Sequence, residues 1–248
     1  MTLNLLLAVS PPAGFPDHPH RGFEAVTLML QGAFSYEDFY RNKGTLHAGD
    51  VQWMRVGKGI MHSEKPAEDN SHGLQIWINL PTIAKSYDPS YQNIRATEIP
   101  QAEKNGVRVR VIAGKALGVE APCHSLTPTM ILDFTLRPNA ELHQSIPTPW
   151  NALAYVIRGE GTFGKPDSPP VYAHEAVVLS AGDGVRVWNN SSTDQLRFLL
   201  LAGQPLNEPV VQYGPFVMNT QAEIDQTIQD YRSREHVFGR GKTWTSSN

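Results

Sequence analysis

Short apolar runs broken by glycine and proline dominate this chain, and they leave room for little besides β-structure. Val26–Leu30, Val51–Met54, Leu74–Leu80, Val107–Ile112, Met130–Leu136, Ala152–Ile157, Ala176–Leu179 and Leu196–Ala202 all have strand length. Turn formers stand between them, among them Gln31-Gly32, Asn42-Lys43-Gly44, Arg137-Pro138-Asn139, Arg158-Gly159-Glu160-Gly161 and Ala181-Gly182-Asp183-Gly184. Many strands at this spacing predict an all-β fold of sandwiches or barrels.

The rhythm occurs twice. Leu30-Gln31-Gly32 is followed later by Gly49-Asp50-Val51; Ile157-Arg158-Gly159 is followed later by Gly182-Asp183-Gly184-Val185. Two copies of one unit fit a length of 248 residues. The polar stretch Glu98–Gly106 is the candidate junction, giving domains at 1–97 and 98–248. One helix is predicted, at about 220–235: Asn219 or Thr220 can cap it, Glu223 lies in its first turn, and Ile224, Ile228 and Tyr231 recur at helical spacing. Ser86–Tyr91 is ambiguous between helix and strand.

Charge and cysteine content exclude several classes. Lys+Arg 21 against Asp+Glu 24 gives a net charge of -3 with no clustered positive stripe, so direct nucleic-acid binding is not expected. The one cysteine, Cys123, cannot form an internal disulfide, which suits the cytoplasm or nucleus, and it reads as a passive thiol. The apolar start at Met1–Ser10 is too short to span a bilayer and reads as a strand or irregular segment; no membrane association is expected.

Two short motifs carry the chemistry. His18-Pro19-His20 and His62-Ser63-Glu64 each place metal-competent side chains at i and i+2. Residues two apart on a strand share a face, so each pair would look the same way. Three imidazoles and one carboxylate can bind iron, zinc, manganese, copper or nickel, and ligand identity alone does not choose among them. His47, His72, His124, His174 and His236 stand alone in the sequence and read as ordinary solvent-facing or hydrogen-bonded residues.

The same stretches resemble the pirin family of the cupin superfamily. The likeness rests on Gly14-Phe15-Pro16-Asp17-His18-Pro19-His20-Arg21-Gly22-Phe23-Glu24 and on Gly49–Met54 followed by Gly57–Glu64. It extends to His72–Leu80 and Gly214–Thr220. The resemblance implies two tandem cupin domains, each a jelly-roll β-barrel, with a C-terminal helix in the second. It implies one iron (Fe2+/Fe3+) per chain in the N-terminal domain, held by His18, His20, His62 and Glu64. Glu24 would stand beside these ligands and support them, and Phe15, Gln52 and Gln75 would line the pocket. His143-Gln144 is the nearest counterpart of the motif in the second half, where no metal is expected.

Two activities follow from the resemblance. One is quercetin 2,3-dioxygenase-type oxidation of a flavonol with O2, with Glu64 as base. The alternative is an iron-dependent, redox-sensitive co-regulator that binds a transcription factor or signalling protein in the nucleus or cytoplasm without turnover. A monomer is expected. The sequence departs from the family pattern at its start, where a longer segment is usual, so a weakened first barrel is expected. It departs again at Lys65, where pirins commonly carry Met; strand alternation turns this lysine away from Glu64.

Overall fold

The computed structural model describes residues 2–121 and 125–247, with the backbone alone for residues 2–9. Cys123 and His124 lie outside the described residues. The chain divides into two compact units, Met1–Ala96 with Leu206–Asn248, and Thr97–Pro205.

The first unit contains nine strands before the division: β1 (Thr2–Val9), β2 (Phe15–His20), β3 (Phe23–Gln31), β4 (Ala33–Asp38), β5 (Lys43–His47), β6 (Val51–Arg55), β7 (Ile60–Pro66), β8 (Ser71–Asn79) and β9 (Ser90–Ile94). They form two antiparallel sheets, in the orders β1-β8-β3-β6-β9 and β2-β7-β4-β5. Ser86–Tyr91, left open by the sequence, splits between the end of a 3-10 turn at Thr82–Ser86 and the start of β9.

The second unit repeats this order. Leu196–Gly203, Asn151–Arg158 and Ala176–Val178 follow one another as β8, β3 and β6 do, and Glu141–Ser145, Gly184–Trp188, Glu160–Phe163 and Pro170–Tyr172 match β2-β7-β4-β5. The internal repeat is thus a repeat of topology, and the fold is the all-β pair of cupin barrels expected. Alternate residues of neighbouring strands, Val109, Leu132, Phe134, Val156, Phe198 and Leu200 among them, fill the core of this unit. Asp133 points the other way and is buried against Arg110 and Arg197 at 3.3 and 2.8 Å.

One expectation changes. The sequence assigned everything after residue 97 to the second domain, whereas Leu206–Asn248 belongs to the first compact unit. The cause is specific bonding. Arg21 bridges to Phe216, its N–H donating to the Pro215 carbonyl at 3.2 Å and its carbonyl accepting from Val217 at 2.9 Å. Helix α1 (Gln221–Ser233) then presents Asp230 and Thr227 to the Arg21 guanidinium, both at 3.0 Å. Thr220 caps α1 in a capping box with Glu223, so the cap is the second of the two candidates. At the start, Thr2–Val9 forms an edge strand antiparallel to β8, the strand reading of that segment. No helix among the described residues is long and apolar enough to cross a membrane.

Candidate metal centre

Strand pairing brings the two motifs together. β2 lies beside β7, antiparallel, with His18 opposite His62 and Phe15 opposite Glu64. β2 is an edge strand, the one place in a sheet where Pro16 and Pro19, which lack an N–H, cost no ladder bond on the open side. The turn after His20 requires glycine: Gly22 has φ +95°, and a Cβ there would sit 1.8 Å from the Val217 carbonyl oxygen.

The result is a cluster of three imidazoles. One nitrogen from each of His18, His20 and His62 lies within 4.8 Å of the others. Ring centroids are 4.3 Å apart for His18–His62, 4.9 Å for His20–His62 and 4.7 Å for His18–His20. The Nε2 atoms of His18 and His20 approach to 3.1 Å. The Nδ1–H of His18 donates to the Pro16 carbonyl at 2.8 Å, which leaves the Nε2 lone pair turned inward. Phe23 and Trp77 stack on each other at 4.3 Å, and each meets the His20 ring edge-on.

Burial keeps these rings neutral. His20 and His62 are held well below the usual imidazole range, first by desolvation and then by repulsion from neighbouring histidines. His18 is lowered by burial, offset partly by the Pro16 carbonyl and Asp17. Neutral imidazole is the metal-binding form. Both ring nitrogens of His62 are fully buried with no hydrogen-bond partner, which is costly unless something else occupies them. A metal held by the three rings would occupy the lone-pair nitrogen of His62, so the residues fit the group.

Glu64 shares the face of His62, but its carboxylate falls outside the three-histidine group. Its Oε2 accepts from the Gln75 amide at 3.3 Å, and Gln75 accepts in turn from the Trp77 indole at 2.7 Å. Desolvation raises the Glu64 carboxyl to about 7 against the pull of Gln75. Of the expected pocket residues, Gln75 touches Glu64, Gln52 is buried in the same row of side chains, and Phe15 lies exposed across from Glu64.

Glu24 is not where the resemblance put it. Ala25 pairs with Trp77, which packs on His20, whereas Glu24 pairs with Ile78. Alternation therefore places Glu24 on the opposite face of β3, buried away from the histidines. The residues that do face the site from β4 were missed by sequence reasoning. Asp38 lies directly opposite His62, and Tyr36 opposite Glu64. The Asp38 carboxylate is taken up by the turn after β4, accepting from the Tyr40 and Asn42 backbones at 2.8 and 2.9 Å.

Family comparison decides the affiliation. Residues 6–78 match the family model described as Pirin, and residues 131–237 match the Pirin C-terminal cupin domain. Pirin-like protein 2 of Arabidopsis thaliana is 56% identical over 243 residues, covering 96% of this chain and 76% of the relative. The chain belongs to the pirin family. Human Pirin is 46% identical over 238 residues, covering 95% of this pirin and 82% of the human protein. A crystal structure of quercetin 2,3-dioxygenase from Acinetobacter baumannii superimposes with a TM-score of 0.83 at 31% identity, covering 94% of this pirin and 84% of that chain.

Proposed function

We propose that this pirin is an iron-dependent dioxygenase that opens a flavonol with O2. The observation that carries the reading is the His62 ring, buried with two unpartnered nitrogens between two other neutral imidazoles. The 31% identity to a quercetin 2,3-dioxygenase supports the choice of substrate class. His18, His20 and His62 would hold the metal. Iron bound there would supply Lewis acidity toward a deprotonated flavonol hydroxyl and redox chemistry toward O2.

The rest is the work of the chain's own groups. The Pro16 carbonyl fixes the His18 tautomer, and Phe23 and Trp77 fix the His20 ring plane. Glu64 takes the hydroxyl proton of the flavonol. A carboxyl near 7 has a proton affinity matched to that task at neutral pH. Gln75, itself anchored by Trp77, orients the accepting carboxylate. The layer of Ala25, Met54 and Trp77 facing the histidines keeps water away from them.

The test is incubation of iron-loaded protein with quercetin under O2, following loss of the flavonol absorbance and release of carbon monoxide. Turnover that falls at least tenfold in Glu64→Gln, with iron content unchanged, is the expected result. Full iron occupancy with no turnover would refute the reading and favour the partner-binding role.

A further inference from the structure

The lumen of the first unit is layered. The histidine layer faces Trp77, Ala25, Met54 and Tyr91 on the opposite sheet, which pair across β8, β3, β6 and β9. Two residues further along the strands, about 6.8 Å away, the same inward face changes character. Gln75, Thr27, Gln52 and Asn93 stand in one row on β8, β3, β6 and β9, each opposite the next. The facing sheet contributes Glu64 and Tyr36 at this level. One layer beyond, Met29, Phe34 and Leu46 form an apolar plug. A polar belt thus lies between the histidine layer and an apolar plug.

Hydrogen bonds run within the belt's sheet and across the lumen to the facing one. Gln75 donates to Glu64 at 3.3 Å, Gln52 donates to Asn93 at 3.1 Å, and the Asn93 amide donates to the Tyr36 hydroxyl at 2.8 Å. Burying such groups brings little net stability, and the plug shows that the same lumen accepts apolar filling. The belt is also open at one end. Asn93 is exposed on the edge strand β9. There a cavity of about 390 Å³ opens between β9 and the β4–β5 turn, lined by Tyr36, Tyr91 and Asn93 with Arg41, Asn42 and Lys43 at its rim. Tyr36 and Tyr91 stack at 5.9 Å and 20°.

We propose that this belt and the cavity at its end read the hydroxyl pattern on the far end of an aromatic substrate whose near end lies at the histidines. Stacked tyrosine rings suit a planar aryl group. The amides of Gln52 and Asn93 and the Tyr36 hydroxyl offer both donors and acceptors to phenolic hydroxyls. The cationic rim favours an acidic phenol over a neutral alkyl group. This assignment rests on the flavonol reading above and specifies which flavonol is preferred: one with hydroxyls on its pendant ring.

The experiment is calorimetric titration of iron-loaded protein, held free of O2, with quercetin and with galangin, which lacks both pendant-ring hydroxyls. The native protein is expected to bind quercetin roughly threefold to tenfold more tightly for each hydrogen bond made. Asn93→Ala, on an exposed edge, and Gln52→Met, which keeps the buried volume, are each expected to bring that ratio toward one. Galangin affinity and iron content should stay within twofold of native. Equal binding of both flavonols by the native protein, or a ratio preserved in both variants, overturns the role of the belt alone. Failure of the native protein to bind either flavonol overturns the belt together with the flavonol reading.

Discussion

Asp230→Ala is the substitution that tests the coupling of the C-terminal segment to the metal centre. Asp230 and Arg21 form an ion pair at 3.0 Å, with side chains only 6% and 12% exposed. Removing the carboxylate leaves the guanidinium with the Thr227 hydroxyl, the Lys58 carbonyl and the Phe238 ring at 5.1 Å. Breaking one side of a buried pair costs about 3–5 kcal/mol, because the other charge stays buried. The surviving neutral partners argue for the lower end, about 3 kcal/mol. Arg21 follows His20 directly and carries the bridge to Phe216, so loosening it frees the strand that positions the ring. The assay is urea unfolding with a probe in the first unit; Trp77, packed on Phe23 and His20, is well placed for fluorescence. A loss below about 1 kcal/mol, with metal affinity unchanged, would refute the inference that Leu206–Asn248 braces the site.

Two further outcomes follow from the same geometry. Gly22→Ala should fold poorly or lose more than about 2 kcal/mol, since it combines a positive φ with a clash against the Val217 carbonyl; thermal melting checks this. Metal-free protein should lose stability as pH falls below the unfolded imidazole value of about 6.5, because the unfolded chain then takes up protons that native His20 and His62 refuse. Each unmatched proton contributes about 1.4 kcal/mol per pH unit. Glu64 acts in the opposite sense between its unfolded value near 4.5 and about 7, where the native state holds the extra proton. Three depressed histidines against one raised carboxyl make the net slope positive below 6.5 and shallow or reversed from there to 7. Equilibrium unfolding across pH 4.5–8 measures it, and a flat profile would contradict neutral, buried histidines.

Much of this was legible because strand geometry is local. A period of two pairs His18 with His20 and His62 with Glu64 without reference to the rest of the chain. Glycine and proline mark the turns, and the capping box at Thr220 and Glu223 marks the start of α1. What was not legible depends on register between distant segments. Asp38 and Tyr36 acquire meaning only when β4 pairs with β7, and the polar belt only when four strands align. The return of Leu206–Asn248 to the first unit turns on Arg21 meeting Asp230, 209 positions away. Glu24 is the instructive error. Family analogy put it beside the ligands, while the parity of β3, readable from Phe23 and Ala25, turns it to the other face.

Metal stoichiometry is the most direct test of the three-histidine centre. The native protein, purified without added metal, loaded with Fe(II) and freed of excess, should retain one metal per chain by elemental analysis, and His62→Ala should retain at least tenfold less at equal free metal. A native protein that retains none, or a His62→Ala variant that retains a full equivalent, would contradict a centre built on His18, His20 and His62.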